Sequence, residues 1–175
     1  MIFYHGTKDN KLKELVSNHS RDNYNYINSN RNYALVYATR KYINLFKNVG
    51  DKIYFYNIYP DLFNKLYFND FGIIYSFEVD INDVEKVEKG RNCAFEDSYR
   101  TSKNIKLNDY EEVNVYDEFM KLRDQGIFII VDDDEVVTKA REDYSNYFTD
   151  LYKQDKLSKE EIDYFDSYLP DLIKR

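Results

Sequence analysis

The sequence predicts a mixed α+β domain, and three observations support this class. Short apolar or alternating runs at residues 1–7, 72–79 and 127–131 are typical of strands. Residues 116–125 and 136–175 instead carry apolar side chains at helical spacing. The two kinds of segment follow one another irregularly without an internal repeat, and 175 residues is about the length of one ordinary domain.

The first fifty residues combine apolar runs with one strongly polar stretch. Apolar runs predict buried strands, helical spacing of apolar residues predicts helices, and a stretch rich in Asn predicts a loop. The predicted order is a strand at 1–7, a helix at 9–17, a polar loop at 18–32, a strand at 33–39 and a helix at 42–49 that ends at Gly50.

The middle of the chain contains more strand-like segments. Alternating or uninterrupted apolar residues predict strands here, and glycine marks the end of a helix. The predicted elements are strands at 52–59 and 72–79, a short helix at 60–68, weaker strands at 84–88, 94–100 and 104–107, a helix at 116–125 that stops at Gly126, and a central strand at 127–131.

The C-terminal residues predict two helices that extend the domain. Ser158 and Glu161 have the spacing of a capping box and open the second helix. An apolar stripe marks the first helix, most simply as a packing face: Tyr144, Tyr147, Phe148, Leu151 and Tyr152. We therefore expect a main domain over residues 1–135 and a helical extension over 136–175 packed on it.

Composition limits the classes of function. A net charge of −7 argues against a general nucleic-acid binder, because binding to phosphates requires cations. The single cysteine, Cys93, excludes an internal disulfide, and two histidines with one cysteine disfavour a zinc site. Neither a secretory signal nor an apolar run near the ~20 residues of a membrane span is evident. These features predict a cytoplasmic protein with a core rich in tyrosine and phenylalanine.

The N-terminal strand ends in a sequence suited to ligand binding. His5, Gly6 and Thr7 directly follow an apolar aromatic run. Glycine lets another molecule approach the backbone where a Cβ would interfere, and histidine can donate or accept a hydrogen bond. The same residues could also form an ordinary turn with a hydrogen-bonded structural histidine.

Two short motifs together resemble one protein family. Tyr4-His5-Gly6-Thr7 and Val36-Tyr37-Ala38-Thr39 resemble segments of the ADP-ribosyltransferase superfamily, especially its small bacterial and phage members. The resemblance implies an ADP-ribosyltransferase-like mixed sheet with short helices and NAD as the cofactor. It implies that His5 holds the adenosine ribose, that the backbone of Gly6 binds the nicotinamide carboxamide, and that Thr7 lies beside them.

The family also stacks an aromatic ring on the nicotinamide and uses a glutamate on a later strand. For the ring, the resemblance offers Tyr37, Tyr42 and Phe46, although aromatic residues at helical spacing are usually core. At the position of the glutamate this chain has Tyr99. Glu96, three residues earlier, is then the candidate catalytic carboxylate if the strand register differs.

Two other groups of carboxylates are weaker candidates. Glu78 lies on a predicted strand between apolar neighbours and is expected to face solvent. The acidic run at 132–135 could hold a metal ion, but such runs usually form solvated turns at a helix N-terminus, so no metal is expected.

Two functions remain open at this stage. The first is an NAD-dependent ADP-ribosyltransferase that modifies a protein target, less readily a nucleic acid, as a bacterial or phage effector, a toxin with an antitoxin, or an anti-defence protein. The second is a catalytically degenerate module of the same fold that inhibits a partner complex through its acidic surface and C-terminal helices. Neither function involves a membrane.

Overall fold

The computed structural model describes residues 1–17, 22–39, 45–87 and 98–175. Its strands are β1 (Ile2–Thr7), β2 (Glu14–Leu15), β3 (Asn25–Asn28), β4 (Phe46–Val49), β5 (Lys52–Tyr56), β6 (Phe71–Glu78), β7 (Glu85–Lys86), β8 (Ser98–Thr101), β9 (Ile105–Lys106), β10 (Asp109–Asn114) and β11 (Phe128–Val131). Its helices are α1 (Arg31–Tyr37), α2 (Leu62–Tyr67), α3 (Val115–Asp124), α4 (Asp134–Lys153) and α5 (Lys159–Tyr168). The α+β class is confirmed.

The largest sheet has six strands in the order β10-β6-β1-β3-β8-β7, and all neighbours are antiparallel. β1 lies near its middle and pairs with β6 along its whole length, from Ile2 with Glu78 to Thr7 with Ile73. On its other side β1 pairs with β3 only at Tyr4 and Asn28. β1 and β3 therefore separate beyond this pair, on the side where His5 and Gly6 lie.

The other strands form two smaller sheets. β5 pairs antiparallel with β4 and parallel with β11, which gives the order β11-β5-β4, and β2 pairs with β9. Gly50, at φ +61°, lies in the tight turn between β4 and β5. β11 is thus an edge strand of the described sheet, and the prediction of a central strand there was wrong.

The main hydrophobic core is aromatic, as the composition predicted. Rings from β4, β5, α2, α3 and β11 pack within 4.7–6.4 Å of one another: Phe46, Phe55, Phe63, Tyr67, Phe119 and Phe128. A second cluster lies on the large sheet and includes Phe3, Ile27, Tyr75 and Phe77. The C-terminal helices and the residues after them contribute Phe165 and Leu172 to the main core. The C-terminal segment thus shares the main core with the preceding elements.

Three predicted elements were wrong, each for a physical reason. Residues 33–37 of the predicted strand 33–39 belong to α1. This helix is buried on several sides, so its continuous apolar run could not be told from that of a buried strand. Asn30 begins α1, where its side chain accepts a hydrogen bond from the N–H of Asn32. Residues 46–49, expected in a helix, form β4, whose alternation of buried and exposed residues has the period of a strand. Residues 9–17 contain β2 and no α-helix.

The other predictions differ from the structure mainly at their ends. The expected strands over 52–59 and 72–79 and the helices over 60–68 and 116–125 are confirmed as β5, β6, α2 and α3, and the two C-terminal helices as α4 and α5. Parts of the weaker predicted strands correspond to β7, β8 and β9. β3 and β10 were not predicted, because a stretch of asparagine and a run of acidic residues have low strand propensity.

Candidate functional site

The candidate site is a cavity of about 250 Å³ at the point where β1 and β3 separate. β1, β3, α1 and β8 supply the described residues that line it: His5, Gly6, Tyr26, Ile27, Asn28, Tyr37 and Ser98. The structure therefore brings together His5 and Gly6 of the first motif and Tyr37 of the second. These two motifs are some thirty residues apart in the sequence.

The backbone of Gly6 faces this cavity, as the hydrogen-bond pattern of β1 shows. The N–H of Val79 donates to the carbonyl of Met1, so Met1 is bonded to the β6 side. Because bonding directions alternate along an antiparallel strand, the even-numbered residues of β1 turn their N–H and C=O toward β3. Tyr4 pairs with Asn28 in this way, but the described part of β3 provides no paired residue for Gly6. The backbone N–H and C=O of Gly6 are thus directed into the gap.

Gly6 is also required by the packing of α1. A Cβ at this position would lie 1.8 Å from the carbonyl oxygen of Ala34 and 2.9 Å from the backbone nitrogen of Ala38. No side chain fits in that space, so α1 packs directly on the backbone of β1. The glycine has a structural role whether or not a ligand binds.

His5 reaches across the gap to the backbone of β3. Its Nδ1 is 3.4 Å from the carbonyl oxygen of Tyr26. A carbonyl only accepts hydrogen bonds, so in this contact Nδ1 carries the proton, and Nε2 is an acceptor nitrogen when the ring is neutral. Such a ring can accept a hydrogen bond from a ligand hydroxyl. The contact also uses the Tyr26 carbonyl, which would otherwise point into the gap.

The remaining lining residues include two buried polar side chains and an exposed aromatic ring. The hydroxyl of Ser98 donates to Oδ1 of Asn28 over 2.9 Å, and both side chains are buried. Tyr37, at the end of α1, lines the cavity and is 42% exposed. Tyr26, Asn28 and Ser98 were not predicted as site residues, because the sequence predicts a loop at β3 and the register of β3 with β8 has no local sequence signal.

Two of the other predicted site residues lie elsewhere. Phe46 is 1% exposed and stacks on Phe119 in the main core, with 5.3 Å between ring centroids. It is a core residue and does not line the cavity. Thr7 ends β1, where its hydroxyl oxygen accepts a hydrogen bond from the N–H of Asp9 over 3.2 Å. This contact shapes the turn after β1.

The glutamate that the sequence resemblance implies is not found among the described residues of the site. Tyr99 packs edge-on against Phe3 in the second hydrophobic cluster, with centroids 5.3 Å apart. Glu78 is exposed at the end of β6, opposite Ile2, and it does not line the cavity. Among the described lining residues none is a carboxylate. Glu96 and Tyr42 lie outside the described residues, as do His19 and Cys93.

The acidic run after β11 serves the helix that follows it. Oδ1 of Asp133 accepts a hydrogen bond from the N–H of Val136 and caps α4. Within residues 1–17, 22–39, 45–87 and 98–175, no three His, Cys, Asp or Glu side chains are placed to hold a metal ion. The helices described there include none that is both long and apolar enough to span a bilayer.

Comparison with known proteins adds no relative. No protein-family model matches the chain, and no curated protein or solved structure matches it significantly.

Proposed function

We propose that the chain binds the nicotinamide end of NAD in the cavity between β1 and β3 and transfers ADP-ribose to a macromolecular target. The observation that carries this proposal is the unpaired ladder position of Gly6, whose backbone donor and acceptor face the cavity. A carboxamide offers the matching acceptor and donor. The resemblance of the two sequence motifs to ADP-ribosyltransferases supports the same ligand.

The size of the cavity suits the nicotinamide end of NAD and not the whole molecule. Sites that enclose a drug-sized ligand measure about 300–1,000 Å³. A cavity of about 250 Å³ is large enough for one planar ring and its amide, and too small for a whole dinucleotide. The ribose and phosphate groups would then extend along the open gap, past His5 and Tyr37.

Each described residue has a role consistent with its surroundings. The backbone of Gly6 orients the carboxamide, and the imidazole of His5 accepts a hydrogen bond from a ribose hydroxyl. The exposed part of the Tyr37 ring covers one face of the nicotinamide. In the transfer step the bond between nicotinamide and the anomeric carbon breaks, nicotinamide leaves with its electron pair, and a nucleophile of the target bonds to that carbon and loses its proton. We propose Glu96 as the carboxylate that stabilises the developing positive charge on the ribose.

A second function, a non-catalytic binding module, is favoured by a different observation. No carboxylate occurs among the described residues that line the cavity, and Tyr99 at the family's glutamate position packs into a hydrophobic cluster. A protein of this kind would bind NAD without efficient turnover and would act by covering a partner. An effector, toxin or anti-defence role suits either function, with a host complex or an antitoxin as the protein partner.

Calorimetric titration tests the ligand, and intact-mass measurement tests the reaction. We expect nicotinamide, ADP-ribose and NAD each to bind, and NAD to bind most tightly because it contacts both Gly6 and His5. A mass increase of one ADP-ribose on the chain or on a candidate target after incubation with NAD would show transfer. No binding of any of the three ligands at millimolar concentration would refute the site, and binding without transfer would favour the binding module.

His5→Ala tests the role of the histidine. Loss of a hydrogen bond to a ligand hydroxyl should weaken NAD binding by about 1–2 kcal/mol, whereas nicotinamide alone should bind as before. His19→Ala removes the only other histidine and is the matched control. Equal effects of the two substitutions on NAD binding would contradict the assignment.

A further inference from the structure

The outer edge of β11 has backbone groups without a strand partner in the described structure. The N–H of Ile53 donates to the carbonyl of Ile127 over 2.8 Å, and the N–H of Asn57 donates to that of Val131 over 3.1 Å. In a parallel ladder the bonded residues alternate along the strand. Phe128 and Ile130 therefore direct their N–H and C=O groups away from β5. Among the described strands, β11 pairs only with β5.

This edge opens into a groove of about 520 Å³ whose two ends carry opposite charges. Lys52 and Arg123 line the groove near the start of β11. Asp61 and Asp132 line it near the end of the strand. Between them run the backbone and apolar side chains of the strand itself. The groove is thus basic at one end, apolar in the middle and acidic at the other end.

The β10 edge of the large sheet is different and provides a comparison. β10 carries Asp109, Glu111 and Glu112, all exposed. Charged residues along an edge strand prevent it from pairing with another chain, because like charges would face each other. β11 has no charged residue from Phe128 to Val131. Of these two edges, only that of β11 lacks this protection.

We propose that β11 pairs antiparallel with β11 of a second copy of this chain. Phe128 of each copy would exchange two hydrogen bonds with Ile130 of the other, which gives four bonds around a two-fold axis at Ile129. The two Ile129 side chains would face each other as a close non-hydrogen-bonded pair. The two three-stranded sheets would then form one six-stranded sheet.

Charge complementarity identifies the second copy as the occupant. Antiparallel pairing places the basic end of one groove, with Arg123, opposite the acidic end of the other, with Asp132. The same match occurs twice because the arrangement is two-fold symmetric. The groove of one copy is therefore complementary in charge to the groove of a second copy.

A pair of charge-reversed variants tests the arrangement. Arg123→Glu would place like negative charges at both junctions of its own dimer, and Asp132→Lys would place like positive charges there. Each variant alone should dimerise at least tenfold more weakly than the parent chain in sedimentation velocity over a concentration series. An equimolar mixture should recover dimers, because both junctions of the mixed pair join opposite charges.

Ile129→Lys provides an independent test, with Val49→Lys on the edge of β4 as its control. Val49 is 66% exposed, so its substitution should leave both the fold and the dimer unchanged. Circular dichroism of each variant checks that the chain is folded. A parent chain that is monomeric at high micromolar concentration would overturn the proposal. A dimer that persists in Ile129→Lys, a mixture that fails to recover dimers, or capture of a foreign strand peptide by a monomeric parent would overturn it as well.

Discussion

The substitution Gly6→Ala tests the contact on which the candidate site is built. The new Cβ would lie 1.8 Å from the carbonyl oxygen of Ala34, against about 3.4 Å for an ordinary contact, so α1 would have to retreat by roughly 1.6 Å. A gap of even 0.5–1 Å forfeits a quarter to a half of the dispersion energy of the atoms that line it. α1 has four buried residues, Tyr33, Ala34, Leu35 and Val36, whose contacts such a movement would loosen.

We expect Gly6→Ala to lower the free energy of unfolding by about 3 kcal/mol, at the upper end of the range for overpacking. For a chain of this length that corresponds to a fall of roughly 6–12 °C in Tm. Urea unfolding followed by circular dichroism should show a lower midpoint with an unchanged m value. Gly50→Asn is the control, because Gly50 has φ +61°, a Cβ there would meet no atom within 4 Å, and Asn tolerates that φ. A Gly6→Ala chain within about 0.5 kcal/mol of the parent would refute direct packing of α1 on β1.

Three further predictions concern the proposed carboxylate, a half-buried phenol and a helix cap. Glu96→Gln should lower ADP-ribose transfer about 10²–10³-fold while NAD still binds, and Glu78→Gln should leave the rate nearly intact; equal rates in both would remove Glu96 from the mechanism. Burial raises the pKa of Tyr144, so its contribution to stability is complete below about pH 10 and is lost as the pH rises. Tyr144→Phe should therefore flatten the alkaline fall in the free energy of unfolding, measured by urea titration at each pH, with Tyr147→Phe at an exposed side chain as the control. Ser158→Ala should cost about 1 kcal/mol in the same assay, because its hydroxyl caps α5; no loss would show that the cap is unimportant.

The sequence predicted best those elements whose burial is one-sided. α3, α4 and α5 each have a solvent face, so helical periodicity is visible in the sequence. α1 has no such face over Tyr33–Val36, and an apolar run of this length is ambiguous between helix and strand. β3 shows the converse problem: Asn25 and Asn28 have low strand propensity, but both are buried and Asn25 donates to two backbone carbonyls. Pairing with distant strands decided its structure.

The candidate site could be predicted only in part. His5 and Gly6 were identifiable because they are adjacent at the end of one strand, and Tyr37 because it lies in the second motif. Ser98 and Asn28 reach the cavity through the register of β3 with β8, which depends on long-range pairing. Phe46 had the residue type of a stacking ring, but the packing of its strand places it in the core.

The single residue pair that joins β1 to β3 has a consequence for motion. β1 is tied to β6 by six residue pairs. In the strand ladder, the large sheet therefore consists of two parts, β10-β6-β1 and β3-β8-β7, which meet only at the pair of Tyr4 and Asn28. Cooperative units of a protein separate where few contacts cross between them. Amide hydrogens of β3 and β8 should therefore exchange with solvent sooner than those of β1 and β6. A ligand held between Gly6 and the far side of the gap would act as a cross-link, and would slow exchange in strands that it does not touch.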